Sequence, residues 1–164
     1  MSRVITRPVM RVGKEFSFEA AHSLPHLPEG HKCRRPHGHS CRFRVEVEGP
    51  VDDRGFVIDY AEIDRVVDPL LAILDHHNLN EVMDVPSTSE NLAAWLHFRI
   101  ARSDVLHRHP VRIVVMETAS TSATYTDPKG DEVAQLREQL RERDAQLVDH
   151  VGEVQRLRTA METP

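Results

Sequence analysis

His37 and His39 flank a single glycine, Cys33 stands four residues before that pair, and His22 closes the run Phe18-Glu-Ala-Ala-His22 fifteen residues earlier. Three neutral imidazoles can hold zinc and leave its fourth position open, and a nearby thiol that is not a ligand is free for proton transfer. That is the inventory of a catalytic zinc site. The chain has eleven histidines, so a His-x-His pair alone carries little weight; the third histidine gives the pattern its force. Cys33 has two readings, a fourth ligand closing a structural site or a free thiol beside the metal. Its neighbours Lys32, Arg34 and Arg35 favour the thiolate. Structural zinc sites usually employ cysteines paired at short spacing, which this chain lacks, so the free thiol is preferred. The bland alternative is a surface histidine cluster that holds no metal.

Other residues carry possible chemistry. Asp75-His76 follows the end of an apolar helical pattern, where the helix dipole favours an imidazolium and the adjacent carboxylate raises imidazole basicity. The pair is a candidate acid/base, or equally a local helix-closing arrangement. Glu117 interrupts the apolar run Ile113-Val-Val-Met116, where an unpaired carboxylate is costly. It would accept two parallel N–H bonds from a planar heterocycle or a guanidinium, Arg112 being one internal partner; alternation leaves a solvent-facing side chain open. Cys41 falls in an apolar stripe and reads as a small buried hydrophobe. His77, Asn78 and Asn80 read as turn and scaffold residues.

Strand periodicity must bring the histidines together. Positions Val12, Lys14, Phe16, Phe18, Ala20 and His22 form one face of a strand, and His37, His39, Cys41, Phe43, Val45 and Val47 one face of another. Paired as an antiparallel hairpin, the end of the first lies beside the start of the second, which places the three imidazoles on one side. The long connection carries Cys33. Asp59-Tyr-Ala-Glu62 reads as a capping box opening a helix with Ile63, Val66, Val67, Leu70 and Leu74 on one face, and Ser87-Thr-Ser-Glu90 as a second box before a helix with Leu92, Trp95, Leu96 and Ile100. Val111–Thr118 and Ser122–Thr126 complete the order ββααββ, an α+β fold with an antiparallel four-stranded sheet and two helices on one face. Beyond Pro128 the composition shifts to charged helix formers. A heptad grid with Val133, Leu140, Leu147, Val154 and Met161 at one core position marks residues 131–164 as a coiled-coil-like helical extension, separate from a domain at 10–127.

With 164 residues, 40% hydrophobic, and a net charge of −5, the chain is expected to bury a core and lacks the basic excess of a nucleic-acid binder. It has no window long and apolar enough to span a membrane and no apolar segment near Met1 resembling a secretory signal, so the expected compartment is the cytoplasm. Two cysteines are too few for a disulfide framework.

Phe18-Glu-Ala-Ala-His22, Gly30-His-Lys-Cys33, His37-Gly-His39, Leu74-Asp-His-His77 with Leu79-Asn80, Ser87-Thr-Ser-Glu-Asn91 and Met116-Glu-Thr118 together resemble the 6-pyruvoyltetrahydropterin synthase family, most closely its bacterial 6-carboxytetrahydropterin synthase branch of queuosine (7-deazapurine) biosynthesis. The resemblance covers roughly positions 10 to 127. It implies a tunnelling fold whose subunits form trimeric barrels stacked as a hexamer, with sites between subunits. It implies His22, His37 and His39 as Zn2+ ligands, Cys33 as base, Asp75 and His76 as relay partners reaching a neighbouring subunit's site, and Glu117 as the pterin anchor. The implied reaction converts 7,8-dihydroneopterin triphosphate to 6-carboxy-5,6,7,8-tetrahydropterin with release of acetaldehyde and triphosphate. Lys32, Arg34 and Arg35 are candidates to meet the triphosphate. Triphosphate elimination alone, giving 6-pyruvoyltetrahydropterin, is the enzymatic alternative; a zinc-stabilised scaffold is the non-catalytic one. The extension at 131–164 has no counterpart in the compact enzymes and would self-associate or dock a partner.

Overall fold

The computed structural model describes residues 7–127; the extension expected at 131–164 lies outside them. Two long strands, β1 (Val9–His22) and β2 (His37–Pro50), pair antiparallel along their whole length. After a loop come α1 (Tyr60–Leu74), the two-residue strand β3 (His77–Asn78), the single turn α2 (Leu79–Val82), α3 (Ser89–Ile100), and the strands β4 (Val111–Thr118) and β5 (Thr121–Thr126). The sheet order is β3-β1-β2-β4-β5.

Alternation decides which side of the sheet becomes core. Phe18 and Ala20 on β1, Cys41, Phe43, Val45 and Val47 on β2, and Val111, Ile113 and Val115 on β4 are buried, and Ile63, Val67, Leu74, Leu92, Leu96 and Ile100 from α1 and α3 close over them. Phe43 stands at the centre, its ring stacked on Phe16 at 5.3 Å and edge-on to Phe18 at 6.1 Å. Positions of the other parity carry charge: Arg11 pairs with Glu48 at 2.6 Å, and Glu15 bridges Arg42 and Arg44 at 3.2 Å each. The apolar face of the hairpin therefore runs continuously into His22, His37 and His39.

Three details differ from the sequence expectation. The sheet is mixed and five-stranded, not antiparallel and four-stranded, and three helices replace two. In the expected order β1 would be an edge, with a row of unpaired backbone groups. The polar segment after α1 meets part of that need: β3 pairs parallel to β1, matching Ala20 with His77 and Ala21 with Asn78. Asn78 then caps α2 by accepting from the Asn80 amide at 3.1 Å. The second capping box is also displaced by one residue. Thr88, not Ser87, caps α3 by accepting from the Asn91 amide, which releases Ser87 for another task.

α3 is tied to β4 through His97, 7% exposed, whose Nε2 donates to the Val111 carbonyl at 3.1 Å while its ring packs on Tyr125. Burial lowers the pKa of His97 below its ordinary value, with Asp127 pulling the other way. In the unfolded chain this imidazole takes up a proton near pH ~6.5; in the fold it does so only at lower pH. The unfolded state binds more protons in that window, so the contribution is fully present above the unfolded value and is lost as pH falls through the folded one. We expect the thermal unfolding midpoint to drop on acidification from about pH 7 to about pH 5.5, and the slope to flatten in His97→Gln, as read by circular dichroism melts.

Candidate metal centre

Hairpin register builds the centre. His22 stands directly opposite His37, and Ala20 opposite His39, so all three rings leave the sheet on one face. Their centroids lie 4.6 Å (His22–His37), 5.1 Å (His22–His39) and 4.9 Å (His37–His39) apart. One nitrogen from each falls within 4.8 Å of the other two, and this is the one such group of metal-capable side chains among the described residues.

Two backbone carbonyls orient the rings. His22 Nδ1 donates to the Ser87 carbonyl at 2.7 Å, and His37 Nδ1 donates to the Arg35 carbonyl at 2.8 Å. Because a carbonyl oxygen can only accept, the proton sits on Nδ1 in both rings and the Nε2 lone pair is left for a ligand. Nε2 of His22 and Nε2 of His39 are both buried without a hydrogen-bond partner among the described residues. An unsatisfied buried polar atom costs about 1–3 kcal/mol, and a divalent cation between the rings removes that cost for both at once. Burial is the leading influence on His39 and lowers its pKa, outweighing the upward pull of Glu117; a neutral imidazole is the form that binds metal. The residues fit a metal.

Glu117 continues the buried parity of β4 after Val111, Ile113 and Val115. Its Oε1 lies 3.5 Å from His22 Nε2 and 3.9 Å from His39 Nε2, and the side chain is 28% exposed. The open question of which way it faces is answered: it points to the histidines, and it lines a small cavity with His22, His39, Cys41 and Ser87. Cys41 is 4% exposed, and burial pushes its thiol up to about 11, which leaves it a packing residue.

Cys33 lies in the single 3-10 turn Lys32–Arg34 and is partly exposed. Its amide donates to His31 Nδ1 at 3.1 Å and its carbonyl accepts from the Leu24 amide at 2.8 Å, which ties the turn to the chain just after His22. The sulfur does not belong to the three-nitrogen group.

Asp75 and His76 form a pair of their own. Asp75 Oδ2 meets His76 Nδ1 at 2.9 Å while Oδ1 accepts from the Glu19 amide at 2.9 Å. The Glu19 bond first, and then the His76 bond, lower the Asp75 pKa. His76 is the one non-glycine residue with positive φ (59°) among those described, and its amide donates to the Glu19 carbonyl at 2.6 Å. Such a backbone is uncommon for a residue with a side chain and is held by its surroundings. His76 borders an open pocket of about 440 Å3 whose lining includes Glu19, Ala21, Gly38, Ser40 and one of the three rings, His39. Neither Asp75 nor His76 is a member of the three-histidine group.

Sequence reasoning missed Ser87. It is 2% exposed, its carbonyl holds His22, and its hydroxyl lies 3.3 Å from the same Nδ1. No residue-type signal could reveal a backbone acceptor 65 positions away. Replacing a ring tests the centre directly. His39→Ala is expected to lose stoichiometric divalent metal in elemental analysis after dialysis, while Cys41→Ala retains it.

Comparison with known proteins agrees with this architecture. Residues 11–128 match the family described as 6-pyruvoyl tetrahydropterin synthase. The 6-carboxy-5,6,7,8-tetrahydropterin synthase of Synechocystis sp. is 43% identical over 123 residues, 71% of this chain and 92% of the relative. A dihydroneopterin monophosphate aldolase of Pyrococcus furiosus is 39% identical over 93 residues, 57% of this chain and 76% of the relative. Among solved structures, Caenorhabditis elegans 6-pyruvoyl tetrahydropterin synthase superposes with a TM-score of 0.66 at 27% identity, covering 74% of this chain and 99% of that one. With its hairpin histidines, its mixed sheet and these relatives, the chain belongs to the 6-pyruvoyl tetrahydropterin synthase family.

Proposed function

We propose that this chain is a zinc-dependent lyase that converts 7,8-dihydroneopterin triphosphate and water to 6-carboxy-5,6,7,8-tetrahydropterin, acetaldehyde and triphosphate, a step toward 7-deazapurines such as queuosine. The observation that carries the reading is the pair of buried, unpartnered Nε2 atoms on His22 and His39, facing Glu117 in a chain 43% identical to a relative named for the carboxy product. His22, His37 and His39 would hold zinc, which supplies Lewis-acid polarisation of the substrate's side-chain hydroxyls.

The chain's own residues divide the remaining work. Cys33, partly exposed and outside the ligand group, takes a proton from the substrate side chain. Asp75, held ionised by the Glu19 amide, keeps His76 oriented to move the second proton. Glu117 accepts N–H groups of the pterin ring, a role suited to a partly exposed carboxylate on the floor of the site. Asp75 and His76 are not members of the three-histidine group of their own chain, and a neighbouring copy of the chain would bring such a pair to it. We assign this to a homo-oligomer, a hexamer of two trimers. Residues 10–127 are assigned the catalysis, and residues 131–164 form an extension that self-associates or docks a partner. No helix among the described residues is long and apolar enough to cross a membrane, in keeping with a cytoplasmic assignment.

The experiment is turnover of dihydroneopterin triphosphate, with the monophosphate as a parallel substrate, followed by mass spectrometry and an acetaldehyde assay with and without a chelator. The 6-carboxy product with acetaldehyde, abolished by the chelator, is expected. A 6-pyruvoyl product without acetaldehyde replaces the reading with the elimination that names the family. Cys33→Ala is expected to keep its zinc and lose turnover by about 10²–10⁴-fold. Zinc loss in that variant would make Cys33 a ligand, full turnover would give its role to another base, and a wild type that holds zinc without turnover would be the zinc-stabilised scaffold.

A further inference from the structure

We propose that Asn80 is a positioning residue, whose single side-chain amide fixes the Cys33 loop and the Asp75–His76 segment against the end of β1. Asn80 Oδ1 accepts from the Ser23 amide at 2.7 Å, and Asn80 Nδ2 donates to the Ser23 carbonyl at 2.8 Å. One amide thereby satisfies both backbone groups of the residue that follows His22, reproducing the two-bond pairing of residues facing each other in a β ladder. The parallel β1–β3 ladder stops at Ala21 and Asn78. The Asn80 side chain carries it past His22.

Both ends of that clamp lead to proton-transfer groups. Toward the C-terminus, the Leu24 amide, next in the chain, donates to the Cys33 carbonyl at 2.8 Å, so the turn that bears the thiol hangs from the clamped segment. Toward the N-terminus, Asp75 and His76 are bonded to the two backbone groups of Glu19, at 2.9 and 2.6 Å. The segment 75–80 is thus stitched to 19–23 on either side of the histidine at the strand's end. Asn80 itself is exposed, while Leu79 beside it is 2% exposed and fills the core. Removing the amide therefore opens no cavity. The chemistry demands asparagine: aspartate keeps the acceptor for the Ser23 amide but sets an anionic oxygen against the Ser23 carbonyl, and alanine loses both bonds.

The consequence for turnover rests on the lyase reading; the placement of Cys33 does not. The zinc-loaded full chain, wild type, Asn80→Ala and Asn80→Asp, is compared in iodoacetamide alkylation of Cys33 located by peptide mapping, zinc content, and steady-state kinetics on dihydroneopterin triphosphate. Losing the two hydrogen bonds is expected to raise Cys33 alkylation about 10-fold in Asn80→Ala, with zinc retained and an intermediate rate in Asn80→Asp. Turnover is expected to fall about 10–100-fold in kcat with KM changed less than about threefold, the signature of misplaced groups. Unchanged alkylation in both variants overturns the proposal, even if kcat falls. Should Asn80→Ala fail to fold, the nearly isosteric Asn80→Asp decides by the same readout. If the wild type does not turn over this substrate, the lyase reading falls, and alkylation with zinc content still judges Asn80.

Discussion

Antiparallel pairing of β1 with β2 is the constraint on which the rest depends. A register that sets His22 opposite His37 also sets Phe18 opposite Cys41 and Phe16 opposite Phe43. The same alternation that fills the core thus delivers three imidazoles to one edge of it. A slip of one residue would send the whole apolar face to the charged side and the rings with it. The packing of Phe43, Val45 and Val47, all fully buried, is therefore what holds the histidine cluster in register. Stability and site geometry share one origin.

Around that frame, two of the three imidazoles, those of His22 and His37, are oriented by backbone carbonyls. Ser87 and Arg35 each contribute a carbonyl that holds a histidine Nδ1. Both acceptors come from irregular segments just outside regular elements, one before α3 and one before β2. Carbonyls in such segments have no ladder partner and are free to accept. The centre is in this sense built from what the helices and strands leave unpaired. Glu117 enters from β4 with its carboxylate near two Nε2 atoms but beyond good hydrogen-bonding distance. That spacing suits a carboxylate with business of its own at the site.

The opposite edge follows a different logic. β1 would present open backbone groups, and the segment from Asp75 to Asn80 occupies them with a mixture of main-chain and side-chain bonds. His76 adopts a left-handed backbone to fit. The cost of that conformation is local, and the two bonds to Glu19 offset it. The Asp75–His76 pair thus stays bound to the β1 edge and outside the three-histidine group.

The histidine cluster and much of the fold were legible in the chain itself. Period-two alternation places His22, His37, His39 and Cys41 on one face because strand geometry sends every second side chain the same way, whatever the surroundings. The helix at Asp59 announced itself through a cap that the fold preserves, with Asp59 accepting from the Ala61 amide at 2.9 Å. What only the tertiary structure decided involves partners whose residue type carries no information: the Ser87 carbonyl behind His22, the direction of Glu117, the parallel pairing of His77–Asn78, and the cap of α3 displaced to Thr88. Periodicity encodes which way a side chain leaves its own element. Which backbone groups of a distant segment arrive to meet it is set by packing, and any residue can supply a carbonyl.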